Sequence, residues 1–231
     1  MRNPWRKLPP SAFVLPEDEV KLKSQKRTIE GNIEFKVLPI PFMGDLRKAR
    51  VILLLLNPGF SNDGMSDIRM HEHCAKHRCS DYLQRSRNNL LHKHGKRPAF
   101  YMLDERFAFF VGFDWWYKNC RPVIEKIGFK RVQNHLACVN FFPYHSARYT
   151  HLREMVPSQK YSIDLVKKAM KAKKIIIIMK GAKIWKREML EDGLERYPEL
   201  FTAKNPRKSI LSPKNLGPKI FEKCCRALDS R

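Results

Sequence analysis

Two asparagines and a histidine stand where this sequence turns from apolar to polar. Asn57 directly follows the apolar run Val51–Leu56 and opens the sequence Asn57-Pro58-Gly59, and Asn140 and His145 lie at the end of a second apolar run. A side-chain amide carries both a donor and an acceptor, which is what reading a nucleobase edge or orienting a water molecule requires. The glycine has no Cβ atom, so a ligand can approach its backbone closely.

The apolar runs predict the strands that carry these residues. Val51–Leu56 contains six consecutive apolar residues, which is typical of a strand buried on both faces of a helix-covered parallel sheet. Further strands are predicted at 135–142, 174–179 and, as a short fourth, 208–211. Helices are predicted at 79–92, 114–127, 162–173, 183–192 and 216–228. We therefore expect an α/β fold, a three-layer α/β/α arrangement around a central, mostly parallel four-stranded sheet.

The ends of these elements predict where a site forms. Parallel strands place their carboxyl ends at one edge of the sheet, so the residues after the predicted strands should line one cleft. Asp114 is predicted to cap the helix at 114–127 and Gly128 to end it. Ser212 is the predicted cap of the last helix.

The charge of the chain points to a polyanionic partner. The 231 residues include 46 Lys and Arg against 23 Asp and Glu, a formal net charge of +23. So large an excess repels itself in the folded state, and nucleic acid is the partner that best explains it. An anionic membrane is a weaker explanation, because no apolar stretch approaches the roughly 20 residues of a spanning helix. We expect a monomer that binds DNA, duplex or single-stranded, and needs no cofactor.

The length fits one domain with additions to it. We expect residues 1–44 to form an N-terminal extension and residues 60–100 to form a basic insertion rich in His and Cys. The sequence shows no signal-peptide pattern at its amino terminus, and its six cysteines show no disulfide-framework spacing. These features predict a reducing, cytoplasmic location.

Three blocks of sequence carry a resemblance to the uracil-DNA glycosylase superfamily. Val51–Ser61 resembles its first motif, in the branch with Asn-Pro-Gly after a strand that includes mismatch-specific and single-strand-selective enzymes. Asn140-Phe141-Phe142-Pro143 resembles the strand end that holds a base-reading Asn. Ser212-Pro213-Lys214-Asn215 is similar to the second motif, and residues 175–182 are similar to the third strand.

The sequence departs from the family pattern at three positions. Leu55 stands where the family usually has Gly, two residues before the first-motif Asn. Ile210 and Leu211 stand where the second motif has His and Pro. The missing His removes the usual hydrogen-bond donor to the base carbonyl, and His145 is a possible substitute.

The resemblance implies a monofunctional DNA glycosylase that hydrolyses the N-glycosidic bond of a damaged or modified base flipped out of DNA. Its role would be DNA repair or defence against modified phage DNA. The implied catalytic residues are Asn57, which would orient the water, His145 and Asp63. The implied base-binding residues are Pro58, Gly59, Phe60, Tyr101 and Asn140. The implied DNA contacts are Ser212, Lys214, Asn215, Lys180, Lys183 and Arg148.

Other interpretations of the same residues stay open. The chain could be a catalytically inactive nucleic-acid-binding module on the same fold. It could also be a metal-dependent nuclease built on His71-Glu72-His73-Cys74, His77 and Cys79, although their spacing matches no known zinc pattern. We expect no bound metal. Asp104 is a second candidate for activating water, and Trp115, Trp116 and Trp185 are interpreted as packing residues.

Overall fold

Short strands make up the β structure. The structure is a computed structural model that describes residues 1–25, 33–59, 80–96, 98–146, 148–149 and 151–230. The strands of these residues are β1 (Ile33–Glu34), β2 (Phe42–Met43), β3 (Val51–Leu55), β4 (Leu136–Asn140), β5 (His145–Ser146), β6 (Ile175–Ile178) and β7 (Leu200–Thr202). Five of them form one sheet in the order β2-β4-β3-β6-β7, and β1 pairs with β5 in an antiparallel ribbon.

The centre of the sheet is built from β3 and β6. Every residue of these two strands is buried, and they pair in parallel from Val51 opposite Ile175 to Leu54 opposite Ile178. β6 also pairs in parallel with β7. Runs of Val, Ile and Leu suit strands covered on both faces, because no residue of the run has to meet water. The prediction of an α/β fold with a mostly parallel sheet is therefore confirmed.

The predicted fourth strand at 208–211 is wrong. These residues form a loop, in which the Leu211 amide donates to the Asn119 carbonyl at 2.9 Å. Its backbone is therefore bonded to a helix and not to the sheet. The edge strand is β7 instead, and the sheet has five strands where four were predicted.

The five predicted helices are present with shifted ends, among eight α-helices in the described residues. Those of the described residues are α1 (Pro16–Lys23), α2 (Ser80–Leu90), α3 (Val111–Ile127), α4 (Phe129–His135), α5 (Pro157–Lys171), α6 (Ala182–Glu188), α7 (Pro213–Leu216) and α8 (Pro218–Asp229). Gly128 ends α3 with a φ of +90°, as predicted. Asp114 does not cap α3, because the helix begins at Val111 and places Asp114 in its first turn. None of these helices has the length and apolar character needed to cross a bilayer.

The chain packs into two compact units. The first consists of residues 1–42, 56–93 and 140–164, and its core includes the fully buried rings of Trp5 and Tyr144. The second consists of residues 43–55, 94–139 and 165–231, with β3 and β6 at its centre.

Candidate active site

Two loops at strand ends lie side by side in the first unit. Residues 56–59 follow β3 in the chain and residues 141–146 follow β4. The Phe142 amide donates to the Leu56 carbonyl at 2.7 Å, and the Ser146 amide donates to the Pro58 carbonyl at 3.2 Å. Gly59 and Ser146 also form a parallel bridge. The loop that contains Asn57 is therefore bonded along its length to the loop that follows Asn140.

Asn57 is half-buried, and its side chain has one defined orientation. Its Nδ2 donates to the Pro58 carbonyl at 2.8 Å, to the Ser146 carbonyl at 3.2 Å and to the Ser146 Oγ at 2.8 Å. The two carbonyl oxygens can only accept, so the nitrogen must face them and Oδ1 must face away. No described residue donates to Oδ1. Oδ1 is therefore directed away from these three acceptors.

Gly59 is exposed beside this amide, whereas Pro58 is buried. A Cβ atom added to Gly59 meets no atom of the described residues within 4 Å, and the backbone needs no positive φ there. The fold itself therefore does not demand a glycine at this position.

Asn140 is 2% exposed and lies beneath the surface of the first unit. Its Nδ2 donates to the Ile40 carbonyl at 2.7 Å, and its backbone amide donates to the Pro41 carbonyl at 2.8 Å. Its Oδ1 is buried and has no hydrogen-bond partner among the described residues. This oxygen is unpaired among the described residues but is closed to solvent, so a base could reach it only if the residues around it moved.

His145 is also buried, and both its ring nitrogens face carbonyl oxygens. Nδ1 lies 2.9 Å from the Gly59 carbonyl, and Nε2 lies 3.1 Å from the Leu38 carbonyl. A neutral ring can donate to only one of these acceptors, whereas a protonated ring donates to both. His145 thus connects Gly59 to the segment before β2, and a donor role toward a base carbonyl stays a prediction.

A buried carboxylate holds the residue before His145. Asp18 of α1 is fully buried and accepts hydrogen bonds from the Tyr144 hydroxyl at 2.7 Å and the Ser158 amide at 3.0 Å. Burial raises the pKa of Asp18 above its ordinary value, although these hydrogen bonds act in the opposite direction. Burial, together with the nearby Asp18, raises the pKa of Tyr144 well above its ordinary value. The phenol therefore stays protonated and donates to Asp18.

Two further candidates lie in the second unit. Tyr101 is 1% exposed and begins a short 3-10 turn, Tyr101–Leu103. Asp104 is buried, and its carboxylate forms an ion pair with Arg106 and accepts the Arg106 backbone amide. Asp104 thus caps the next 3-10 turn, Glu105–Phe107.

The predicted DNA contacts have different environments. Ser212 caps the short helix α7, by accepting from the Asn215 amide at 3.3 Å, and not the last helix as predicted, because α8 begins after Gly217. Asn215 is buried and bonds to the backbone of its own loop. Lys180 is half-buried, with its Nζ 5.9 Å from the centre of the Trp115 ring. The exposed members of the set are Lys183, Lys214 and Arg148.

Several predicted residues lie outside the described residues. They are Phe60, Asp63 and the His and Cys residues at 71–79. Among the residues that are described, no cluster of three or more His, Cys, Asp or Glu side chains forms a metal site.

Sequence reasoning missed two residues. Ser146 supplies two of the three acceptors that orient Asn57, but a lone serine after a strand carries no signal in a sequence. Trp115 was interpreted as a packing residue, yet it is 38% exposed, whereas Trp116 and Trp185 are buried as expected. A prediction that α3 begins at Val111 would have placed Trp115 on the exposed side of the helix.

The three residues that differ from the glycosylase motifs are found at strand and loop positions. Leu55 is buried at the end of β3, and Ile210 and Leu211 lie in the loop before α7. Comparison of this chain with models of known protein families, with curated proteins and with solved structures found no match.

Proposed function

We propose that this chain is a monofunctional DNA glycosylase, which hydrolyses the N-glycosidic bond of a damaged or modified base flipped out of DNA. With it we propose the three-layer α/β/α arrangement of the uracil-DNA glycosylase superfamily, a single domain that works as a monomer. The role would be base excision in repair or the attack of modified phage DNA.

The observation that supports this proposal most is the orientation of Asn57. Three acceptors hold its Nδ2, so its Oδ1 is directed away from its protein partners at the end of the central strand. A glycosylase of this kind needs an acceptor that orients a water molecule toward the sugar. The amide is not a strong base, so the group that holds the departing base must carry much of the catalysis.

The proposed reaction is a displacement at the sugar carbon C1′. A water molecule that hydrogen-bonds to Asn57 Oδ1 attacks C1′, and its oxygen forms the new C–O bond. The C1′–N bond breaks, its electron pair leaves with the base, and the water gives up its proton to solvent or to the departing base. The backbone N–H of Gly59 and the buried Oδ1 of Asn140 are the groups we assign to the base edge. Lys and Arg side chains would hold the flanking phosphates.

The test is base release from DNAs that carry different modified bases. Oligonucleotides with uracil, deaminated purines, alkylated bases or enlarged pyrimidines are incubated with the protein as single strands and as duplexes. Free base is measured by mass spectrometry, and abasic sites by strand scission in alkali. We expect Asn57→Ala to lower the rate by about 100-fold or more.

The matched control is Asn134→Ala, which removes another half-buried asparagine side chain, on α4. This variant should keep full activity. Unchanged base release by Asn57→Ala on a substrate of the wild-type protein would remove Asn57 from the mechanism.

A nucleic-acid-binding module without catalysis is the second candidate. It is favoured by the burial of Asn140 and by the two carbonyl contacts of His145, which leave little of either side chain open to a ligand. The same screen separates the two candidates, because a module of this kind binds DNA and releases no base from any member of the panel.

A further inference from the structure

Trp115 is a large aromatic side chain that α3 presents to solvent. It is 38% exposed, and its ring is fixed by an edge-on contact with the buried Trp116 at 4.8 Å between centroids. The ammonium group of Lys180 lies over the ring at 5.9 Å, within the range of a cation–π contact. Partial burial lowers the pKa of Lys180 below its ordinary value. An exposed indole next to a cation is suited to a base that stacks beside its own phosphate.

The loop before α7 is basic. Between Glu199 and Glu222 the sequence has five Lys or Arg residues and no acid. All five are exposed and form no ion pair with any described residue. Lys204, Arg207 and Lys208 lie in the loop, whereas Lys214 lies in α7 and Lys219 in α8.

Asn215 holds this loop together from within. Its Nδ2 donates to the carbonyls of Lys208 at 2.7 Å and Ile210 at 3.0 Å, while its Oδ1 accepts the Asn205 amide at 2.8 Å. Its own carbonyl accepts the Lys204 amide at 2.8 Å. The cations of the loop therefore project from a backbone that is already fixed, which reduces the entropy lost on binding.

Asn119 joins the loop to the helix that carries Trp115. Its Nδ2 donates to the Trp115 carbonyl at 2.7 Å, and its own carbonyl accepts the Leu211 amide at 2.9 Å. Lys118 is exposed and lies three positions after Trp115, on the same side of α3. We call Trp115, Lys118, Lys180 and the loop 203–214 the Trp115 surface. All of it belongs to the second unit.

We propose that the Trp115 surface binds a single-stranded nucleic acid segment, with one base stacked on Trp115 and the flanking phosphates on the basic loop. Charge complementarity selects a polyanion, and the exposed indole selects one whose bases are unpaired. Asn215 acts as a positioning residue of the loop and not as a contact to the nucleic acid. The proposal goes beyond base excision and does not require it.

The experiment compares two oligomers of equal charge by fluorescence anisotropy. One is a labelled oligothymidine of about 16 nucleotides, and the other is a chain of abasic units of the same length. Trp115→Ala should weaken binding of the oligothymidine by about 5- to 100-fold and leave binding of the abasic chain within about twofold. Trp115→Phe should restore most of the affinity, which shows that the effect depends on an aromatic ring.

Tyr117→Ala is the matched control for the stacking residue. Tyr117 is 40% exposed on the same helix and stacks on Phe113 at 5.9 Å, but no described cation lies over its ring. It should bind both oligomers as the wild type does. Equal binding of the two oligomers by the wild type, or an equal loss in both aromatic variants, would overturn the stacking role.

The loop is tested by its salt dependence. Changing Lys204, Arg207 and Lys208 together to Ala should weaken the binding of both oligomers. It should also make the negative slope of log K against log salt shallower by about 2, since each phosphate contact on a single strand contributes about 0.7. The control changes Lys7, Lys21 and Lys23 to Ala, because these lysines are paired with acids in the first unit. An unchanged slope in the loop variant would overturn the proposal. Base release is not measured, so this result is independent of the proposed hydrolysis.

Discussion

Ser146 and Pro58 determine how Asn57 is presented. Their carbonyl oxygens and the Ser146 hydroxyl take all the hydrogen bonds from Asn57 Nδ2, so rotation of the amide would place its oxygen against two other oxygens. Each lost or repulsive contact of this kind costs on the order of 1 kcal/mol or more. The acceptor atom of Asn57 is therefore oriented before any water or substrate arrives.

At Gly59, a substitution separates a structural role from a ligand-binding role. We expect Gly59→Ala to change the free energy of unfolding by less than about 1 kcal/mol, because the added methyl group meets nothing in the described residues. If a base approaches this backbone, the same methyl group should lower base release at least about 10-fold. Urea denaturation and the base-release assay measure the two effects.

Gly44→Ala is the contrasting variant for this test. The φ of Gly44 is +91°, and an added Cβ would lie 2.7 Å from the Leu136 carbonyl oxygen, so this variant should be clearly destabilised. Full base release by Gly59→Ala would show that no ligand comes close to position 59.

The sequence predicted that Asn57 follows a buried strand, but not the contacts that orient its side chain. Asn-Pro-Gly after an apolar run predicts a polar turn at a strand end, since local residue types determine such turns. The support from Ser146 depends on two segments 89 residues apart, and no local pattern contains that contact. The burial of Asn140 likewise depends on packing against Ile40, which is 100 residues away.

At the level of elements, the prediction of strands succeeded where the residues of one segment alone indicate that the segment is buried. The Ile175–Ile178 run is apolar throughout, and it forms a central strand. It failed where distant residues determine the backbone hydrogen bonds. Residues 208–211 contain apolar residues too, but their backbone bonds to Asn119 and Asn215 and not to a strand. The true edge strand, β7, is short and partly exposed, so its pattern is weak.

The contact between α1 and the start of α5 should depend on pH through Asp18. Its pKa is higher in the folded chain than in the unfolded chain, so between about 3.8 and the folded value the unfolded chain binds fewer protons. The contribution of Asp18 to stability is therefore fully present below the unfolded pKa and is lost as the pH rises through the folded pKa. Asp18→Asn removes this titration.

We expect the unfolding free energy of Asp18→Asn relative to the wild type to rise between pH 4 and pH 7. Urea denaturation of both proteins at several pH values measures the difference. Glu125→Gln is the control, since the Glu125 side chain is exposed in its ion pair with Arg121 on α3. A difference in unfolding free energy that does not change with pH would show that folding does not raise the pKa of Asp18.

For the whole molecule, the net charge of +23 should make folding sensitive to ionic strength. Self-repulsion between cations destabilises the compact state, and salt screens it over a Debye length of about 30 Å at 0.01 M and about 8 Å at 0.15 M. We expect Tm to rise by several degrees between these two concentrations of sodium chloride. Scanning calorimetry measures it, and a Tm that falls with salt would mean that specific ion pairs outweigh the repulsion.

The buried cysteines give the second unit a natural reporter of its own opening. Cys120, Cys138, Cys224 and Cys225 are all buried, and the described cysteines all belong to this unit. Burial raises the pKa of Cys120 and of Cys224 to about 12, so almost no thiolate is present to react at neutral pH. Alkylation of these thiols in the native protein must then wait for transient exposure. The alkylation rate of each cysteine, measured by mass spectrometry, therefore reports how often α3, β4 and α8 open transiently in the absence of denaturant.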